Sequence, residues 1–360
     1  MGTNESGLNH DLAAQTWSKS FAVQVELRQY FRKFMGTGLD SMILTKKDLN
    51  KQAHDQIDVI LKMKLGGKGI GGGGQIEEMP YFHNNLFIDQ RLKGIKIKDI
   101  ISGQTVPHNM RLQGRNDLAT WWAEDYDQMI MMYLAGARGV DTSSHVDTSF
   151  TGWANNRLLT PDSAHIIYGG KASCPNDICV SDKMSLGLIE RLIAKAETTD
   201  PIIHPFMVEG EKKFVLLMHT FQAYELRASI SPQDWVGLVK VEGSMADKNK
   251  LYRNALGEYG DIIMHKNRNV IRFNDYGTGS TLSAARALFL GAQAGMIAWG
   301  GGSPHGRYNW NEETDDQGDG LIITADSIYG VKKSIYTGPD GKRADFGVIA
   351  VDTAVDDPNS

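Results

Sequence analysis

Ile57-Asp58-Val59-Ile60-Leu61-Lys62-Met63-Lys64-Leu65 and Leu86-Phe87-Ile88-Asp89-Gln90-Arg91-Leu92-Lys93-Gly94-Ile95-Lys96-Ile97 flank a glycine-saturated tip, Gly66-Gly67-Lys68-Gly69-Ile70-Gly71-Gly72-Gly73-Gly74. Both flanks read as strands, and at about 3.3 Å per residue they make a ribbon roughly 30–40 Å long. An isolated hairpin is marginal in water, and its unpaired edge invites another chain. The faces are mixed. Leu61, Met63 and Leu65 alternate with Lys62 and Lys64, and Ile88 and Leu92 with Asp89, Arg91 and Lys93. Such an arm needs a partner outside its own core, which points toward assembly rather than catalysis.

Outward from the ribbon, Asp11 or Thr16 can cap a helix whose Phe21, Val25, Leu27, Tyr30, Phe31 and Phe34 supply an aromatic face, with Gly36 and Gly38 stopping it. Two readings stay open for that face: a peripheral helix on its own core, or a segment laid across a neighbour. Beyond Pro107, the spacing of Leu118, Trp122, Tyr126, Met129, Ile130, Tyr133 and Leu134 predicts a long helix over 112–135, ended by Gly136 and Gly139. Trp121, Trp122, Tyr126 and Tyr133 are its expected core, with Glu124, Asp125 and Asp127 largely off the stripe. Residues 139–180 are loop-rich. A second amphipathic helix over 182–196 follows, then strands at 214–218, 261–265 and 270–273, a helix at 221–227, and a terminal strand at 346–351. For Ala284–Trp299, periodicity alone does not separate strand from helix. The mixture is α+β.

The chain has 360 residues, 41% of them apolar and 22% charged, and a net charge of −5. That is the composition of an ordinary soluble globular protein of about two domains. It argues against a surface that wraps nucleic acid everywhere, although a local basic patch facing a polyanion stays open. No apolar run reaches the ~20 residues a bilayer span needs, so no membrane role is expected. The polar, acidic first residues do not read as a secretory signal, and synthesis in the cytosol is the expectation. Cys174 and Cys179, four intervening residues apart, lack the second pair of a zinc site and read as unremarkable loop thiols.

Catalytic signatures fail on context. Gly67, Gly69 and Gly72 spell the dinucleotide fingerprint, but more glycine follows where a helix must open. No Gly-Lys-Ser or Gly-Lys-Thr closes a phosphate loop. Gly301-Gly302-Ser303-Pro304-His305 lacks the closing glycine of a nucleophile elbow. The ten histidines are scattered; His219 is the best single base, and a structural histidine is its ordinary reading. Glu312, Glu313, Asp315, Asp316 and Asp319 form an acidic stretch without calcium-loop spacing. No enzyme, metal or cofactor is expected.

At this point an ordered series of motifs carries a resemblance. Trp17-Ser18-Lys19, Phe31-Arg32-Lys33-Phe34-Met35-Gly36, Trp121-Trp122-Ala123-Glu124-Asp125-Tyr126-Asp127 and Tyr168-Gly169-Gly170 begin it. Val215-Leu216-Leu217-Met218-His219, the block 285–294, Tyr329-Gly330-Val331-Lys332-Lys333 and the block 345–354 continue it. Over nearly its whole length the chain resembles the major capsid proteins of tailed bacteriophages, in the branch typified by the N-four-like podophages.

The resemblance implies an α+β Hong Kong 97-like capsid fold with an N-terminal arm (1–50), an extended β-hairpin loop (51–105), a peripheral domain with a long spine helix (106–178), an axial domain (179–310) and a return to the peripheral domain (311–360). Residues 139–176 match no part of that plan and read as an insertion. It further implies hexamers and pentamers closing an icosahedral shell around double-stranded DNA, without sequence-specific binding. Assembly contacts are expected from Lys62, Lys64, Gly66, Lys68, Gly72, Arg91 and Lys93 on the extended loop and from Phe21, Tyr30, Phe31 and Phe34 on the arm. A portal protein is an expected partner. The first forty residues are too short for a large fused scaffold, so a separate scaffold protein is expected, and a decoration protein stays open. The alternatives are an encapsulin-like compartment, an enzyme with an unfamiliar site and a monomeric binding module.

Overall fold

The computed structural model describes residues 4–48, 50–62, 81–97, 110–141, 143–208, 210–233, 235, 250–301, 307–315, 320–338 and 341–357. The chain opens with helix α1 (Asn4–Arg28). Phe21 and Val25 of α1 turn inward, while Val23 and Leu27 face out. A 3-10 turn over Phe31–Phe34 follows. Its entry is pinned from the central helix, because the Asp127 carboxylate accepts hydrogen bonds from the Tyr30 and Phe31 backbone N–H groups at 2.7 and 3.1 Å. Phe21, Phe31 and Phe34 are buried in the subunit's own core and Tyr30 is half-buried against it.

Strands β1 (Met35–Gly36) and β2 (Ile43–Asp48) run parallel. Then come β3 (Gln56–Lys62) and β4 (Tyr81–Phe87), an antiparallel ribbon in register from Gln56–Phe87 to Lys62–Tyr81. The sequence reading of 86–97 as one strand of that ribbon needs correction. The ribbon ends at Phe87, and β5 (Asp89–Ile97) turns away to pair elsewhere. Residues 63–80, with the glycine tip, lie outside the described residues.

Helix α2 (Met110–Ala135) is the predicted long helix, starting two residues earlier than expected. Then follow the small hairpin β6 (Gly152–Trp153) and β7 (Asn156–Arg157), β8 (Ile166–Tyr168) and α3 (Leu186–Thr198). Next come β9 (Phe206–Val208), β10 (Glu211–Met218) and α4 (Thr220–Ser229). The remainder is strands: β11 (Ala255–Tyr259), β12 (Ile262–Lys266), β13 (Arg272–Tyr276), β14 (Leu282–Leu290), β15 (Gly295–Gly300), β16 (Asn309–Asp315), β17 (Gly320–Lys333), β18 (Ile335–Thr337), β19 (Arg343–Asp345) and β20 (Val348–Ala354). The ambiguous stretch 284–299 is thus two strands. They are joined by a corner where Gly291 passes so close to the His204 carbonyl that a Cβ would sit 2.4 Å away.

Two sheets organise these strands. One has the order β1-β2-β15-β17-β16, with β5 paired to β17. β5 and β16 bond to the same stretch of β17, residues 321–326, and so occupy its two sides. The other has the order β11-β12-β10-β14-β20-β8, with β13 on β14 and β9 on β10. The sequence reading sends the terminal strand back to the spine-helix side. That strand is β20, which lies between β14 and β8 in this larger sheet, with Val348 in the same cluster as the long helix.

The larger sheet is covered on both faces, which is why β10, β14 and β20 read as continuous apolar runs rather than alternations. Val215, Leu217, Leu288 and Leu290 face α2, with Trp122, Tyr126, Met129 and Tyr133 in one cluster. Leu216, Met218, Phe289 and Val351 face the opposite way, onto Leu188, Ile189 and Leu192 of α3. Arg286 joins the layers. It forms a two-pronged pair with Asp352, both bonds at 2.7 Å, and donates from a third nitrogen to the Ala135 carbonyl, 2.9 Å away at the end of α2. The last turn of the helix is thereby tied to the sheet.

Candidate assembly site

The ribbon β3–β4 forms a two-stranded sheet of its own. Its inward face is apolar: Ile57, Val59 and Leu86 cluster with Ile88 at the ribbon's root and with Leu44, Met296, Ala298 and Ile328 on the outer face of the smaller sheet. Its outward face carries Gln56, Asp58, Ile60 and Lys62, all exposed, with Ile60 at 41%. Strict alternation over Gln56–Lys62 therefore holds one face down and leaves the other free. Further along, Phe82 meets Tyr336 edge to face at 4.7 Å, and the Lys332 ammonium donates to the Asn85 carbonyl at 2.7 Å.

The sequence-predicted cations part company here. Lys62 stays on the ribbon's free face, 3.9 Å from Asp40. Lys64, Gly66, Lys68 and Gly72 lie outside the described residues. Arg91 and Lys93 leave the ribbon with β5 and turn onto α2. The Arg91 guanidinium lies 3.0 Å from Asp125 and over the rings of Trp121 and Trp153, at 5.4 and 5.3 Å. The Lys93 ammonium lies over Trp121 at 5.0 Å. Trp121 is also stacked on His145, with ring centroids 5.1 Å apart.

Asp125 and Asp127, expected off the apolar stripe, are both buried. Asp125 accepts a hydrogen bond from the Tyr329 hydroxyl at 2.7 Å. Burial raises its pKa to about 6, against the pull of Arg91. Burial likewise raises Asp127 to about 7, against its two backbone donors. Position gave a usable signal: Asp125 stands three residues after Trp122 and four before Met129, on the stripe itself.

The segment 139–176, unplaced in the sequence reading, braces this region. Trp153 stacks on Tyr329 at 5.9 Å and donates its indole N–H to the Tyr329 carbonyl at 3.2 Å. The Tyr133 hydroxyl accepts from the Trp153 N–H and donates to the Asn156 carbonyl, both at 2.6 Å. Nothing in the sequence marks Asn156 or Gly330 as partners of the ribbon.

The catalytic candidates resolve structurally. His219 caps α4: its Nδ1 accepts from the Phe221 N–H at 3.1 Å, while Gln222 accepts from the His219 N–H at 2.9 Å. Glu312 and Glu313 sit on β16, hydrogen-bonded to Trp310 and Asn311. Both cysteines are free thiols. Among the described residues no three His, Cys, Asp or Glu side chains could together hold a metal ion, and no helix is long and apolar enough to cross a membrane.

A subunit with a long α2, two sheets and an arm-like ribbon has known counterparts. Residues 6–357 match the family described as phage capsid protein. The chain belongs to that family.

The major capsid protein of Pseudomonas phage KPP25 is 25% identical over 362 residues, covering 93% of each chain. The capsid of Ralstonia phage GP4 superposes with a TM-score of 0.82 at 34% identity, over 92% of both chains. The capsid of cyanophage Pam1, at 18% identity, 91% and 92% coverage and a TM-score of 0.66, shares the fold. The fold is therefore the α+β Hong Kong 97-like capsid fold. The protein is a major capsid protein of a tailed-phage head, a self-associating shell component of the virion in a structural, non-enzymatic family.

Proposed function

We propose that copies of this chain form hexamers and pentamers in which the β3–β4 ribbon of one subunit lies over the next. The observation that carries this is the ribbon itself: apolar side down on its own sheet, free side up with Ile60 and Lys62 exposed. Lys62, Lys64 and Lys68 are its intermolecular cations, Arg91 and Lys93 being engaged inside the subunit. An exposed pair contributes only about 0–1 kcal/mol. Cohesion therefore comes from repetition and from apolar burial at roughly 25 cal/mol per Å². Within the family we assign the chain to the N-four-like podophage branch, on the ordered series of motifs from Trp17 to Ala354.

The enclosed cargo is double-stranded DNA, held without sequence readout, and a net charge of −5 suits a wall that does not grip it. A portal protein and a separate scaffold complete the assembly, with a decoration protein as a further partner class. Electron microscopy with size-exclusion chromatography tests the reading, on the chain alone and with its scaffold. The expected products are closed shells, or sheets and tubes of hexamers. A persistent monomer or dimer under both conditions overturns it.

A further inference from the structure

At Phe87 the chain leaves the ribbon, and at Asp89 it joins the sheet under α2. The residues between are gripped one by one. Ile88 is fully buried, donates its N–H to the Asp55 carbonyl at 3.1 Å and accepts from the His54 N–H at 2.7 Å. Phe87 is held by a side chain. The Asn156 amide accepts from the Phe87 N–H at 3.1 Å and donates to the Phe87 carbonyl at 2.7 Å. One carboxamide thus takes both backbone groups of a single residue, as a paired strand would. Asn156 is buried, and its own carbonyl accepts from Tyr133 on α2. On β17, Gly330 completes the socket, since a Cβ there would lie 2.0 Å from the Phe87 oxygen.

We infer that Asn156, presented by the small β6–β7 hairpin, is a positioning residue that sets the angle at which the ribbon leaves the subunit, and through it the curvature of the shell. The inference rests on the ribbon-over-neighbour reading. Its leverage is geometric. Along the seven residues of β3, about 23 Å at 3.3 Å per residue, a tilt of about 10° at the root moves the far end by about 4 Å. That displacement equals a whole side-chain contact. The ribbon's apolar face rests on its own sheet, and single side-chain bonds touch its backbone elsewhere, from Lys332 to the Asn85 carbonyl, from Lys46 to the Asp58 carbonyl and from the Lys62 N–H to Gln293, whereas Phe87 at the root has both backbone groups held by one buried side chain.

Two variants approach the joint from opposite sides. Asn156→Asp keeps size and shape but loses the donor to the Phe87 carbonyl. Gly330→Ala pushes on that same carbonyl. Each is assembled beside the unmodified chain, with shell diameters measured by cryo-electron microscopy and thermal unfolding measured on the unassembled subunit. Asn156→Asp, which sets a buried oxygen against the Phe87 carbonyl, is expected to lower the unfolding temperature and, when assembled well below that temperature, to give off-diameter or unclosed particles. Gly330→Ala is expected to shift the diameter as well. Uniform shells of unchanged diameter from both variants overturn the inference. If the unmodified chain fails to assemble, the ribbon-over-neighbour reading fails instead, and the two outcomes are distinct.

Discussion

Arg286 shows how much one side chain carries at the joint between the helix and the larger sheet. Its guanidinium pairs with Asp352, which is fully buried, and with the Tyr276 hydroxyl at 3.1 Å, while also holding the Ala135 carbonyl. Removing the cation strands a buried carboxylate, and breaking such a pair typically costs about 3–5 kcal/mol. Arg286→Met should therefore lower the unassembled subunit's stability by about that amount in urea denaturation, with little change in the m-value. Adding Asp352→Leu should recover much of the loss, because well-packed apolar groups often replace a buried pair at no net cost. A double variant no more stable than the single would assign the loss to the α2 cap rather than to the stranded charge. Arg286 stood in a quoted motif, but its partner lies 66 residues away, a pairing that spacing does not reveal.

At the scale of elements, the sequence reading did best where a period and a terminator coincide. The stripe from Leu118 to Leu134 with Gly136 behind it gives α2, and Gln56–Lys62 alternates as expected. It went astray at 86–97 for a definite reason. Leu86 and Ile88 both point inward and the backbone stays extended, so the period runs on unbroken while the hydrogen-bonding partner changes from β3 to β17. Periodicity reports which face is buried, not which strand lies alongside. The same blindness hid the socket at Phe87, which is built by Asn156 and Gly330 from two distant segments. The ribbon's role yields its own test. Deleting Gly66–Gly74 and closing the ends with a two-residue turn should leave a subunit that folds, since its apolar footing at Ile57, Val59 and Leu86 is untouched. Assembly followed by light scattering should be severely impaired. Normal shells from that deletion would remove the ribbon tip from the contacts that build the head.

At the scale of the whole molecule, two buried histidines and two buried aspartates are shifted so that they pull stability in opposite directions. Burial, aided by Arg272, lowers His219 to about 4, and burial with Lys33 lowers His265 to about 3. Their contribution is complete above the ordinary imidazole value of about 6.5 and is lost as pH falls through about 4 and about 3. Asp125 and Asp127 are raised to about 6 and about 7, so their contribution is complete below the ordinary carboxyl value and is lost as pH rises through those values. Between about pH 4.5 and about pH 5.5, unfolding takes up roughly two protons at the histidines and releases roughly two from the aspartates. These four groups should therefore leave subunit stability nearly flat across that window, with Asp345, raised by burial, and His145, lowered by burial, again acting in opposite directions. Asp127→Asn removes one releasing group and leaves a net uptake of about one proton. Stability should then rise with pH by about 1.4 kcal/mol per unit. His265→Asn should tilt the profile the other way by the same amount. Urea midpoints of the unassembled subunit at several pH values in the window read the slopes directly. A profile for Asp127→Asn with the same slope as the unmodified subunit's would mean that the Tyr30 and Phe31 N–H donors keep this carboxylate ionised despite its burial, and that the arm is held to the spine by a full charge.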